Sequence, residues 1–282
     1  MAPAGPGLWG GGDAYEHYMG RWSRLVARVF VDWVGAPAGA RWIDIGCGTG
    51  ILTTAVLDRC APSRVLGVDS SPAFLEAARS QVLDPRAAFE PGDAQAIPAG
   101  DAAFDVAAAG LLLNFVPDPG RALREMVRVV ENGGRVALYV WDYPGHMQIM
   151  RHFFDVATAL DPGARDFDDG VKAPFCRPAP LAALLAGAEL AMVETRAIDI
   201  PTAFAGFDDY WTPFLGGTGS APRYCMSLSE AARDRLREAL RQRLPTGPDG
   251  EILLAARAWA ARGRKVDQSV GTAAVDEEGP LD

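Results

Sequence analysis

No stretch of this chain approaches the ~20 consecutive apolar residues that a bilayer-crossing helix needs. The first twelve residues are rich in glycine and proline and lack the apolar core of a secretory signal, so a cytoplasmic location is expected. Cysteine is scarce: Cys47, Cys60, Cys176 and Cys225 are scattered and form no C-x-x-C pair, which reads as reduced thiols rather than a disulfide framework. The three histidines, His17, His146 and His152, have no ligand spacing with a carboxylate or thiol, so no metal site is expected. Clusters of positive charge are also missing. With a net charge of −9, neither nucleic acid nor an anionic membrane is an expected partner. The one arginine-rich piece, Arg233 to Arg243, interleaves Asp234 and Glu238 at helical spacing and reads as a solvated helix face.

What the chain does have is concentrated between residues 42 and 69. The apolar run Trp42-Ile43-Asp44-Ile45 stops at Gly46-Cys47-Gly48-Thr49-Gly50, a helical pattern follows, and Val65-Leu66-Gly67-Val68 ends in Asp69. A strand, a glycine turn, a helix and a second strand ending in an acid make a βαβ unit. Its turn lets a nucleoside-like ligand approach the backbone, and its acid faces ribose hydroxyls. The same glycines also serve any tight strand-to-helix turn. Here the third glycine comes one position earlier than in the dinucleotide fingerprint, and Asp44 precedes the turn. A carboxylate there repels pyrophosphate but suits a ligand with a cationic amino-acid portion.

Strand and helix patterns alternate onward from this unit. Strands are expected at 41–45, 64–68, 87–90, 104–109 and 135–141, with helices at 50–59, 71–82 and 119–130 between them. Ser71-Pro72 supplies a cap and a first-turn proline. Alternation implies a doubly wound α/β sheet with helices on both faces and a ligand at the carboxyl ends of its strands, where Asp44, Asp69 and Asp93 fall.

The acid-x-Gly-x-Gly-x-Gly turn with a second-strand acid resembles the class I S-adenosylmethionine-dependent methyltransferases. The likeness is to their small-molecule branch, which includes the ubiquinone and menaquinone biosynthesis enzymes. Pro91-Gly92-Asp93-Ala94, Phe104-Asp105-Val106 and the run Leu123 to Val136 extend it. Asn114 stands where many relatives carry His, which weakens the transfer of a His-based catalytic role. The resemblance implies a Rossmann-like seven-stranded sheet, mostly parallel, with an antiparallel last strand and a helical cap insertion. It also implies S-adenosyl-L-methionine as cofactor, held by Tyr18, Arg21, Asp44, Gly46, Cys47, Gly48, Gly50, Asp69, Ser70, Asp93, Ala94, Gly110 and Leu111. Competing readings are core packing for Tyr18 and Leu111, a surface ion pair for Arg21, an ordinary strand-end cap at Asp69 and a plain turn at Gly92-Asp93.

The expected organisation is a disordered segment 1–13, a methyltransferase domain 14–263 and a disordered tail 264–282. Within the domain, 14–35 holds N-terminal helices and 40–145 the cofactor-binding core. A sixth strand is expected at 191–204 and a last one at 251–262, with 206–248 as a cap between them that covers the substrate pocket. The absence of an Asp-Pro-Pro-Tyr-like motif after the fourth strand and of any Pro-Cys pair argues against DNA-base methylation. A small, partly apolar methyl acceptor remains, with Trp9, Trp22, Trp141, Tyr143, Phe153, Phe154 and Trp211 as candidate pocket aromatics. Catalysis is expected by in-line displacement at the sulfonium methyl, with Asp142, Tyr143, His146 and His17 as candidate bases if a proton must leave first. The alternatives are a nicotinamide-dependent oxidoreductase and a non-catalytic S-adenosylmethionine-binding module.

Overall fold

The computed structural model describes residues 19–216 and 219–266. Its centre is β1 (Arg41–Ile45), four of whose five residues are buried, as expected of a strand covered on both faces. Around it lie β2 (Arg64–Asp69), β3 (Ala87–Pro91), β4 (Phe104–Gly110), β5 (Val130–Trp141), β6 (Leu190–Phe204) and β7 (Ile252–Lys265), in the order β3-β2-β1-β4-β5-β7-β6. Only β7 runs antiparallel to the rest. The strand order reverses between β1 and β4, so a crevice opens above the carboxyl ends of those two strands.

The helices follow from their sequence periods and caps. In α1 (Arg21–Val34), Trp22, Val26, Phe30 and Val34 recur along one buried face, and Gly35 ends the helix at φ +64°. Phe30 meets Tyr139 of β5 at 4.7 Å between ring centroids, and Trp22 meets Phe204 of β6 at 5.5 Å. α2 (Ile51–Arg59) springs from Gly50 at φ +88°. In α3 (Pro72–Gln81) the Ser71 hydroxyl accepts from the Phe74 N–H, and in α4 (Pro119–Val129) the Asp118 carboxylate accepts from the Arg121 N–H.

β5 differs from expectation. It pairs with β4 from Val130 opposite Phe104, then skips to Arg135 opposite Val106. Residues 131–134 are thereby bulged out around Gly133 at φ +76°, so Gly133-Gly134 bends the strand rather than preceding it.

The second half is more helical than its sequence suggests. α5 (Gln148–Leu160), α6 (Asp169–Lys172) and α7 (Pro178–Ala186) come before β6, and α8 (Phe207–Trp211), α9 (Ser220–Ser227) and α10 (Glu230–Arg243) follow it. These helices share an aromatic core. Phe153 stacks on Phe214 at 4.5 Å, Tyr210 lies 5.2 Å from Phe214, and the Tyr210 hydroxyl donates to the Ile149 carbonyl at 2.9 Å. The charged face of α10 is solvated as expected, while Leu236 and Leu240 are buried. β7 continues to Lys265, past the expected end of the domain at 263. The expected disordered segment 1–13 and most of the tail lie outside the described residues.

Candidate functional site

Above the switch point lies a cavity of about 550 Å³, within the range of small-ligand pockets. Its floor is the turn after β1. There the Gly46 and Cys47 N–H groups both donate to the Val68 carbonyl, at 2.7 and 3.1 Å, binding the turn to β2. Gly46 (φ +70°) has no room for a side chain, because a Cβ would lie 2.6 Å from Leu112. Gly48 (φ +54°) faces open space, and its bare backbone is presented to the cavity. Gly50 does not line the cavity; a Cβ there would meet Val82 at 2.8 Å, so this glycine shapes the entry to α2.

Three acids surround this floor in different states. The Asp69 carboxylate accepts from the Gly48 N–H at 2.9 Å and the Ser71 N–H at 2.8 Å, joining the glycine turn to the loop that starts α3. Burial raises its pKa, and these backbone donors oppose the rise. Asp93 is exposed at the rim, where its Oδ1 accepts from the Gln95 N–H at 2.8 Å. Asp44 is 2% exposed and lies outside the lining. Its Oδ2 accepts from the Thr53 hydroxyl at 2.7 Å, while its Oδ1 is buried without a donor among the described residues. Burial pushes this carboxyl up to about 7, against the Thr53 bonds and with the negative charge of Asp69 adding to the rise.

Opposite the acids the wall is aromatic. Tyr139 and Trp141 share one face of β5, and Tyr143 follows just beyond; all three line the cavity. Gly110 keeps the wall close, since a Cβ there would lie 2.6 Å from the Tyr139 hydroxyl oxygen. Leu111 follows at φ +57°, a left-handed conformation held by its N–H donating to the Tyr139 carbonyl at 2.8 Å.

Of the residues singled out in the sequence, Gly46, Cys47, Gly48, Asp69, Ser70, Asp93, Ala94, Gly110, Leu111, Trp141 and Tyr143 line one cavity. Several others do not. Arg21 is held by Asp209 at 3.1 Å, with its guanidinium over the rings of Trp22 and Phe204. Asp142 is buried in a tight turn, its carboxylate accepting from the His146 N–H at 2.9 Å, and neither residue lines the cavity. The backbone carbonyl of His146 accepts from the Arg257 N–H. The Asp142 carboxylate is thereby engaged within its own turn, and the bonds at His146 are to its backbone. Tyr18, His17 and Trp9 lie outside the described residues. Trp22, Phe153, Phe154 and Trp211 are buried away from the lining, and no described residue of 206–248 lines the cavity, because that segment buries its rings against α5. Met19, Ser23, Phe74, Gln95, Phe115 and Tyr139 do line it, although no motif marks them. Alternation along β5 was the available signal for Tyr139. Among the described residues no group of His, Cys, Asp or Glu is placed to hold a metal ion.

Comparison with known proteins identifies the family. The methyltransferase-domain family matches residues 43–138. Trans-aconitate 2-methyltransferase of Deinococcus radiodurans is 31% identical over 219 residues, covering 75% of this chain and 81% of that enzyme. The chain belongs to the class I S-adenosylmethionine-dependent methyltransferases. The 2-phytyl-1,4-naphtoquinone methyltransferase of Thermosynechococcus vestitus is 38% identical over 116 residues, or 40% of this chain, and the match spans about half of that relative, 52%. The YcgJ protein of Bacillus subtilis shares the fold with a TM-score of 0.57 at 20% identity, covering 86% of this chain and 98% of that one.

The cavity of this methyltransferase fits S-adenosylmethionine on its own evidence. The open space before Gly48 admits a ligand against backbone, and the donorless Asp44 Oδ1 suits a cationic partner. Among the described residues no lysine or arginine lines the cavity to receive phosphates.

Proposed function

We propose that this methyltransferase transfers a methyl group to a small, partly apolar acceptor seated against Tyr139, Trp141 and Tyr143. The observation that carries this reading is one continuous cavity with the glycine turn and acids on one side and the three rings on the other. When bound, S-adenosylmethionine supplies a methyl group already activated for displacement by its sulfonium. The protein's contribution is then placement. Asp69 accepts from the ribose hydroxyls, Asp93 and Ala94 meet the adenine edge, Ser70 and Cys47 close the sides, and Asp44 balances the cationic amino-acid end. The rings and Leu111 hold the acceptor in line and exclude water. Such orientation is worth about 7–11 kcal/mol in favourable systems. The described residues of α5 and 206–248 lie outside the cavity lining.

Among the described residues no helix is long and apolar enough to cross a membrane. The direct test is twofold. S-adenosylmethionine should raise the melting temperature where NAD does not, and labelled methyl should appear on some member of a panel of small phenols, quinones and amines. Stabilisation by NAD alone, or cofactor binding with no transfer to any acceptor, would refute the proposal.

A further inference from the structure

Asp93 stands exposed at the rim of the cavity, where packing does little to set the direction of its carboxylate. An exposed carboxylate samples several rotamers, and a ligand that requires one of them binds less tightly for it. The neighbouring Gln95 removes that freedom. Its backbone N–H donates to Asp93 Oδ1 at 2.8 Å, closing a local turn. Its side-chain amide donates to the same oxygen at 3.3 Å and reaches Oδ2 at 3.5 Å. Oδ1 thus receives two donors, whereas Oδ2, with only the longest of these contacts, keeps lone pairs for a ligand N–H.

The other half of the amide is fixed as well. Gln95 Oε1 accepts from the Asp118 N–H at 3.1 Å, and the Gln95 carbonyl accepts from Arg121 Nε at 2.8 Å. Asp118 in turn caps α4, its carboxylate accepting from the Arg121 N–H at 2.9 Å. Only one orientation of the amide suits both neighbours, because a backbone N–H requires the oxygen and a carboxylate requires the NH2 group. Every polar group of Gln95, on backbone and side chain alike, is therefore engaged. Together they tie the loop after β3 to the start of α4, just beyond Phe115, Val116 and Pro117 of the lining.

Resting on the reading that sets Asp93 at the adenine edge, we infer that Gln95 is a positioning residue, which fixes the Asp93 carboxylate for the exocyclic amino group of the cofactor's base. Gln95 lines the cavity, but with its amide engaged on both sides it acts through Asp93. Base selectivity then depends on it. Hypoxanthine presents a carbonyl oxygen where adenine presents the amino group; an oriented carboxylate repels that oxygen, and a mobile one turns aside.

The probes are S-adenosylhomocysteine and S-inosylhomocysteine, which replaces the amino group with a carbonyl oxygen and protonates the adjacent ring nitrogen. Both are titrated into the full chain by calorimetry, with melting temperatures to establish folding. The unaltered protein should bind the adenine compound at least about tenfold more tightly. Gln95→Glu keeps an oxygen for the Asp118 N–H but sets a second carboxylate against Asp93, and should shrink this ratio at least about threefold. Gln95→Ala removes the amide without adding charge and should shrink it too. A merely structural role would weaken both compounds alike, so a smaller change of ratio in the folded variants overturns the inference. Should Gln95→Glu fail to fold, Gln95→Ala decides alone. Equal binding of the two compounds by the unaltered protein overturns the placement of Asp93 at the adenine and the inference with it. Binding of neither overturns the methyl-transfer reading itself, whereas a ratio that only the variants fail to change strikes Gln95 alone.

Discussion

At one side of the cavity the chain presents backbone and carboxylates, from the Gly46–Thr49 turn, Asp69 and Asp93; at the other it presents the rings of Tyr139, Trp141 and Tyr143. On the acid side the recognising groups, the Gly48 backbone and the Asp69 and Asp93 carboxylates, come from loops, and of that turn Cys47 packs into a small cluster with Leu75, Ala78 and Phe89. The rings serve the core and the cavity together: Tyr139, Trp141 and Tyr143 are 2%, 1% and 5% exposed, and Tyr139 packs on Phe30. Ligand recognition is therefore separable from stability on the acid side and fused with it on the aromatic side. Substitutions on the two sides should differ in kind.

The largest effect is expected from Trp141→Ala. Removing a fully buried indole from the sheet's inner face should cost about 3–5 kcal/mol of stability, measured by denaturant unfolding. A variant as stable as the parent would show that the ring belongs to the cavity alone. Asp69→Ala should do the reverse. Its carboxylate holds the Gly48 and Ser71 N–H groups and is assigned to the ribose, so cofactor affinity should fall by about 2–3 kcal/mol, roughly 30- to 150-fold by calorimetry. The melting temperature should move far less than in Trp141→Ala. A large loss of stability with affinity intact would erase the contrast.

The same contrast explains what the sequence made legible. The acid side was readable because its signals are local: glycines two apart, Asp69 at the end of the next apolar run, and Ser71-Pro72 opening a helix. Each records a backbone conformation or a cap that short-range chemistry requires. The aromatic side depends on which face of β5 meets α1 and on where Gly110 lets β4 approach, and these are tertiary facts. Arg21 and His146 illustrate the limit. Arg21 stands in a family-like segment and His146 near the end of β5, yet Asp209, 188 residues away from Arg21, and the turn at Asp142 decide where they lie. The helical layer was least legible because its rings come from segments that precede and follow β6 in the chain, as Phe153 and Phe214 do.

Asp44 sharpens the comparison through pH. In the native free protein it keeps its proton up to about pH 7, whereas in an unfolded chain a carboxyl ionises near pH 4. The native state therefore binds more protons between those values, and stability should decline as pH rises through them and level off above about 7. Asp69, also raised by burial, adds in the same direction, so Asp44→Asn should reduce this slope without abolishing it. Cofactor binding carries the opposite sign. A cationic end beside Asp44 favours its ionised form, so affinity should rise with pH up to about 7, with proton release on binding below that value. Calorimetry in buffers of different ionisation enthalpy measures the release; proton uptake, or none at pH 6, would refute the placement of Asp44 against a cation.

The smallest effect is expected where sequence and structure part most clearly. Arg21 resembled a cofactor ligand, yet its guanidinium joins α1 to α8 through Asp209 and rests on Trp22 and Phe204. Both partners of the ion pair are 36% exposed in their side chains, so solvent screening limits the pair to under about 1 kcal/mol. Arg21→Gln keeps much of the aliphatic contact with the rings and removes the charge. It should lower stability by no more than about 1 kcal/mol and leave cofactor affinity within about twofold of the parent. Asp209→Asn, far in sequence from every residue lining the cavity, should match it on both measurements. If Arg21→Gln instead weakens cofactor binding tenfold while Asp209→Asn does not, the guanidinium must leave its partner to meet the ligand. The acid side would then draw a group from α1, and its separation from the packed core would fail at that point.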